Sequence, residues 1–315
     1  MNPKLGRRAG WLAAALSVGG GLALANRLLL LDDLPPTLPG ATHDWMWRGW
    51  RVRYTTMGSG PSIVLVHSVH AAASSFEMRN IFEPLSHRQT VYALDLPGFG
   101  KSERPASTYS GVLYAALLAD FLAEVVKEPA TVLASSLSAA YGLAAARERP
   151  DLVRQLCLIS PTLTTSHGAA GRAFGWLLAL PLVGTAAFNV LVSQASIQSY
   201  LRRAYGNSAF VDDPLVGQQW ATSHQPNARL APAAFVAGAL DLPDGGQTAE
   251  TTIPILVLRG SRPGIGRQMA DADLRALGPQ VTIETIQGAG QLPHDEAPDQ
   301  VLAILERWMC RWAAT

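Results

Sequence analysis

The chain has 315 residues and a formal net charge of +1, with 48% hydrophobic and 16% charged residues. That composition excludes a disordered chain, and the length allows a large core, either one domain with an insertion or two small domains. Lys and Arg are scattered rather than striped, so nucleic acid is excluded as a partner. The two cysteines, Cys157 and Cys310, have neither metal-ligand spacing nor the number for a disulfide framework.

In chain order, Lys4, Arg7 and Arg8 precede an apolar run from Ala9 to Ala25, and Asn26-Arg27 follows. Residues 1–30 therefore read as a signal peptide or a short membrane anchor, with an apolar helix packed on the domain as the alternative. If the segment spans, the charge bias puts the main domain on the extracytoplasmic side. The protein would then be membrane-anchored or secreted; the packed helix would leave it cytoplasmic. Residues 31–44 form a Pro-rich linker. Trp45 to Met57 alternates around Arg48-Gly49, the pattern of a hairpin of outer strands.

Continuous apolar runs then predict strands over Ser62–His67, Thr90–Asp95, Ala130–Ser135, Gln155–Ser160, Ile253–Arg259 and Val281–Ile286. Helical patterns fall between most of them, at Ser75–Leu85, Ser110–Val126, Leu137–Arg149, Gln268–Leu277 and Pro298–Trp312. This alternation predicts an α/β fold with a mostly parallel central sheet and helices on both faces. Reactive groups in such folds gather at the carboxyl ends of the strands. The core is assigned to residues 45–161 and 252–315. Residues 162–251 lack a convincing strand and read as an inserted helical cap. Within the cap, Ala173 to Val192 is almost wholly apolar, and Pro181 and Gly184 divide it into two short helices.

Between the strand Ala130–Leu133 and the small-residue helix beginning at Ala139 stands Ala134-Ser135-Ser136-Leu137-Ser138. A serine at the apex of a strand–turn–helix has the context of a nucleophile elbow, with Ala134 and Ser138 where glycines usually stand. The alternative for Ser136 is simply a small residue in a tight turn. Two nucleotide-like strings carry nothing. Gly100-Lys101-Ser102 lacks the first glycine of a phosphate loop, and Gly264-Ile265-Gly266 lacks the third glycine of a dinucleotide fingerprint, so no cofactor is expected.

From about residue 45 to 313 the sequence resembles the α/β-hydrolase fold superfamily. Ile63-Val64-Leu65-Val66-His67 is similar to the strand leading into the family's oxyanion loop. Asp95-Leu96-Pro97-Gly98-Phe99-Gly100-Lys101-Ser102 resembles its D-x-x-G-x-G-x-S loop, and Gly288-Ala289-Gly290-Gln291-Leu292-Pro293-His294 the loop carrying its catalytic histidine. The resemblance implies Ser136 as nucleophile and the amides of Val69 and Leu137 as oxyanion donors. It also exposes departures. Ser68 replaces the usual glycine, Gln291 stands in the histidine's place and Pro263 in the acid's place. No carboxylate occupies Pro161-Thr162-Leu163-Thr164 after the sixth strand either.

Glutamine cannot accept a proton near neutral pH, so a base would have to come from His70 or His224. Structural roles are the alternative for both. His67 is expected to brace its loop, His294 to be structural and Asp95 to cap a turn, with Asp271 and Asp273 on a solvated helix face. The expected function is hydrolysis of a lipophilic ester, lactone or related carbonyl compound with a non-standard base. The alternative is a non-hydrolytic or inactive member that binds an apolar ligand. The expected partners are a small lipophilic molecule and, through the N-terminal segment, a membrane.

Overall fold

The computed structural model describes residues 20–31, 34, 37–165, 168–243, 251–262, 264–265 and 269–312. Lys4, Arg7, Arg8, most of the N-terminal apolar run, Pro263, Gly266 and Gln268 lie outside the described residues. Eight strands form one sheet in the order β1-β2-β4-β3-β5-β6-β7-β8. They are β1 (Ala41–Trp47), β2 (Trp50–Met57), β3 (Ser62–Val66), β4 (Thr90–Leu94), β5 (Ala130–Ser135), β6 (Val153–Ile159), β7 (Ile255–Gly260) and β8 (Val281–Ile286). The β1–β2 and β2–β4 pairs are antiparallel and the remaining pairs parallel.

Three boundaries move from the sequence expectation. The hairpin pairs back to Ala41, opposite Thr56, so part of the stretch read as linker is strand. Residues Ala41–Asp44 are exposed on an edge strand, where no burial pattern marks the start. β6 begins at Val153, which pairs with Ala130 across a register shift. β7 begins only at Ile255, because Pro254 has no N–H to give the ladder.

Buried strands are apolar on both faces, and their residues alternate between two cores. Val64, Val66, Val132, Leu156, Leu158 and Val257 join helices Gly111–Phe121 and Ser138–Glu148 on one face. Ile63, Leu65, Leu133, Cys157, Ile159 and Leu256 join helices Arg79–Ser86 and Pro298–Trp312 on the other. The first helix predicted before β4 opens as a 3-10 turn, Ser75–Met78. Ser110 caps Gly111–Phe121 by accepting from the Leu113 amide, and that helix widens into a π-turn, Leu122–Val126. The helix predicted from Gln268 shortens to Asp271–Arg275 among the described residues.

Between β6 and β7 the chain forms five helices, Gly168–Ala179, Val183–Leu191, Gln194–Ala204, Asp213–Ser223 and Leu230–Val236, and no strand among the described residues. The first two meet at a 113° bend containing Pro181, and no single described helix is long and apolar enough to cross a membrane. Leu178, Phe188, Leu201, Ala204 and Leu215 form the insert's own core, which reaches Leu292 of the main domain. Tyr200, Leu201 and Ala204 from one helix and Gln219 from another come over the carboxyl end of β5.

Candidate active site

β5 ends at Ser135, and the chain turns within two residues into helix Ser138–Glu148. Ser136 at the apex takes a left-handed backbone, φ 53°, a conformation an L residue holds only when its surroundings enforce it. Here they do. The Ser136 amide donates to Ile159 O at 2.9 Å, and its carbonyl accepts from Ala139 N at 3.1 Å and Thr162 N at 3.2 Å. Ser138 is more than a small spacer, since its Oγ donates to His67 O at 2.7 Å and ties the elbow to the loop after β3.

That loop explains the serine standing for glycine at position 68. The Ser68 amide donates to Glu77 Oε2 at 3.1 Å, and its hydroxyl bonds the same oxygen. Ser68 is thereby held to a buried carboxylate. His67 braces the loop, as expected. Its Nε2 accepts from Leu96 N at 3.1 Å, so the neutral ring carries its proton on Nδ1, which lies 2.6 Å from Ser68 O. Among the described residues, the Val69 and Leu137 amides have no acceptor within the protein, the condition for a pair of N–H groups to serve a ligand. Asp95 closes its turn by accepting from Ser75 N at 2.7 Å and Lys101 N at 2.8 Å.

Ser136 faces a cavity of about 20 Å³, the room of one water molecule, lined also by Val69, His70, Tyr200, Gln219, Gln291 and Leu292. Gln291 therefore comes to the same cavity as Ser136. Its loop is threaded tightly: a Cβ at Gly290 would lie 2.3 Å from Ala204 O, and Gln291 N donates to that same oxygen at 2.7 Å.

The structure brings His70 to the cavity but not His224. His70 stacks on Tyr200 with ring centroids 5.4 Å apart, and its Nδ1 accepts from Ala72 N at 3.3 Å. The neutral ring then carries its proton on Nε2, which makes that edge a donor. Burial, reinforced by nearby His67, pushes its pKa down to about 3. His224 instead stacks on Trp220, with Nδ1 2.7 Å from Trp220 O, and lines a separate cleft beside the N-terminal helix. His294 is structural in position, fully buried with Nε2 3.5 Å from Glu77 Oε1. Among the described residues, His70 is the one histidine that lines the Ser136 cavity, and its Nδ1 is engaged by the Ala72 amide. His167 and Pro263 lie outside the described residues.

Three carboxylates had no role in the sequence reading. Glu77 anchors the loop after β3, and burial raises its pKa. Asp295 accepts from Arg79 Nη2 at 2.8 Å, Asn80 Nδ2 at 2.6 Å and the Tyr205 hydroxyl. Glu296 accepts from Gly206 N and Gly290 N, each at 2.7 Å. Together the last two latch the end of helix Gln194–Ala204 to the Gln291 loop. Their adjacency in sequence was visible, but their partners on the insert, Tyr205 and Gly206, lie 90 residues away.

The model of the alpha/beta hydrolase family matches residues 63–304. An uncharacterized protein of Mycobacterium tuberculosis is 27% identical over 302 residues, covering 88% of this chain and 82% of its own. A 2-(acetamidomethylene)succinate hydrolase of Mesorhizobium japonicum is 25% identical over 261 residues, covering 80% of this chain and 89% of its own. Among solved structures, the epoxide hydrolase CorEH superposes with a TM-score of 0.73 at 20% identity, over 86% of this chain and 99% of that one. With the sheet order, the strained serine after β5 and a match spanning most of the core, the chain belongs to the alpha/beta hydrolase family.

Proposed function

We propose that this protein binds a lipophilic carbonyl compound at Ser136, in a pocket that widens from the water-sized cavity of this structure when the insert shifts outward, and that Ser136 serves as a hydrogen-bonding hydroxyl without an imidazole base. The observation that carries this reading is the contact of His70 Nδ1 with the Ala72 amide at 3.3 Å. With Nδ1 occupied by the Ala72 amide, the ring meets the cavity as a neutral donor. Gln291, at the position where the family carries its base, offers an amide that neither takes up nor releases a proton near neutral pH. The cavity is thus lined by hydroxyl, amide and imidazole groups able to donate to a carbonyl oxygen, with the Val69 and Leu137 amides unoccupied. Val69, Leu201, Ala204 and Leu292 supply the apolar wall.

A second reading is favoured by one specific observation. A left-handed serine backbone is costly, on the order of 1–3 kcal/mol, and such strain gathers at working sites. On that reading Ser136 is a nucleophile in hydrolysis of a lipophilic ester or lactone, with a non-standard base such as His70. The matched hydrolase from Mesorhizobium japonicum is compatible with it.

Fluorophosphonate labelling followed by peptide mapping separates the two. The expected result is negligible labelling of the parent at Ser136 and faster labelling of Gln291→His, with Ser136→Ala as the blank. Loss of a base leaves acylation slower by on the order of 10³-fold or more, so the contrast is wide. Rapid labelling of the parent at Ser136 would overturn the binding reading. His70→Ala and His224→Ala would then test the two candidate bases.

A further inference from the structure

The insert carries an apolar surface that its own packing leaves uncovered. In the bent pair Gly168–Ala179 and Val183–Leu191, only Gly175, Leu178, Gly184 and Phe188 are buried. Trp176 is 77% exposed and Val190 71%, and Phe174, Leu180, Val183 and Leu191 are exposed with them. Soluble monomers rarely leave so much aliphatic and aromatic surface in water.

A second apolar element is fastened to the same side. Residues 20–28 are helical, and Leu24, Leu28, Leu29 and Leu30 are exposed. Asn26 Nδ2 donates to Leu182 O at 3.1 Å, at the bend of the pair, and Asn189 Nδ2 donates to Asn26 Oδ1 at 3.0 Å. A cleft of about 440 Å³ between them is lined by Leu29, Leu30, Leu182 and Phe188. The chain enters this helix from Lys4, Arg7, Arg8 and the uncharged run beginning at Ala9.

We infer that this face docks on a lipid bilayer, with the bent pair lying in the boundary between headgroups and acyl chains. The inference rests on the N-terminal run being membrane-seeking. Asn26 follows a run of that composition and is hydrogen-bonded at the bend of the exposed pair, so a bilayer that takes up the run meets the pair with it. Amphipathic surface helices bind in this way when apolar area and cationic residues act together. Arg27 on one element and Arg172 on the other add the positive charge that anionic headgroups attract. Leu178 and Phe188 pack with Leu201 and Ala204, which line the Ser136 cavity, so docking sets the insert between the bilayer and the serine.

The test uses the full chain in phosphatidylcholine–phosphatidylglycerol vesicles whose acyl chains carry bromine, a tryptophan quencher. Trp11 reports the N-terminal run and Trp176 the bent pair. The expected result is that Trp11→Phe still loses emission to the brominated lipid, and that adding Trp176→Phe removes this loss. Because Trp176 is exposed, its replacement by Phe leaves the fold intact. Quenching in the parent that vanishes with Trp11→Phe alone would overturn the docking while sparing the N-terminal reading. No quenching at either site would overturn both. A detergent-solubilised chain that sediments as a dimer, and as a monomer after Val190→Glu, would assign the face to a second copy and overturn the inference.

Discussion

His294 contributes to acid sensitivity. Its ring is fully buried, and burial, aided by repulsion from Arg79, pushes the pKa down to about 3 from an ordinary 6.5. A group depressed in this way contributes its full stability above its unfolded value. That contribution is lost as pH falls from 6.5 towards 3, because the unfolded chain takes up a proton that the folded one refuses. Each unit is worth about 1.36 kcal/mol, so the protein loses about 2 kcal/mol from this ring between pH 7.5 and pH 5. Glu77, 3.5 Å away, acts with the opposite sign. Burial raises its pKa, so its contribution is complete below 4.5 and is lost as pH rises above that value. Urea denaturation of His294→Asn beside its parent, both in a Glu77→Gln background, isolates the histidine. The difference between the two is expected to shrink by about 2 kcal/mol from pH 7.5 to pH 5. Parallel pH profiles would refute the account, since they would mean that the ring protonates as readily folded as unfolded.

Ser138→Ala removes a buried hydrogen bond and leaves His67 O without that donor, which should cost about 1–3 kcal/mol in denaturant unfolding. A variant as stable as the parent would show that Ser138 is only a spacer. Gly100→Ala should be worse, by roughly 2–4 kcal/mol, since φ is +52° and the new Cβ would lie 2.1 Å from the Asp95 carboxyl. An unchanged melting temperature would contradict that geometry. Asp295→Asn should loosen the latch to Arg79 and Tyr205 and speed limited proteolysis around Tyr205–Val211. Cleavage at the parent's rate would show that Glu296 holds the insert unaided. His70→Gln keeps a donor amide at the cavity and should retain carbonyl-ligand binding, whereas His70→Leu should weaken it severalfold by calorimetry.

The parallel sheet was readable because its strands are apolar on both faces, which leaves a continuous run such as Ile63–Val66 or Ala130–Leu133. β1 was only half visible. Its first four residues face solvent, and their pairing with β2 is backbone work that no side-chain pattern records. The elbow was legible because a strained turn demands small neighbours, and the sequence displays them. Ser138 looked like such a neighbour, yet its hydroxyl bonds a carbonyl 71 positions away, a contact that only the fold reveals. His70 and His224 looked equivalent as spare bases. Distance separates them: one ring reaches the Ser136 cavity, and the other is held on Trp220 at a helix end. The roles of Glu77, Asp295 and Glu296 were hidden for the same reason, because a carboxylate's task is fixed by partners remote in sequence.

On the proposed binding reading, the departures in the sequence are physically coupled. A carboxylate that served an imidazole becomes a buried charge without a partner once the imidazole is gone, and leaving such a charge unpaired costs about 3–5 kcal/mol. On that reading Gln291 and Pro263, in the places that the resemblance gives to base and acid, belong together as one change towards a neutral pocket. The carboxylates that remain nearby are spent elsewhere: Glu77 on the loop after β3, Asp295 and Glu296 on the latch to the insert. His70 conforms to the same rule, since burial keeps it uncharged and its Nδ1 accepts from the Ala72 amide. The Ser136 backbone is nevertheless strained, and among the described residues the amides of Val69 and Leu137 beside it have no acceptor. A decaying site would be expected to shed the strain first, because relieving it stabilises the fold. Strain at Ser136 beside these amides is therefore what the proposed reading requires, a hydroxyl and neighbouring N–H groups held ready for a ligand.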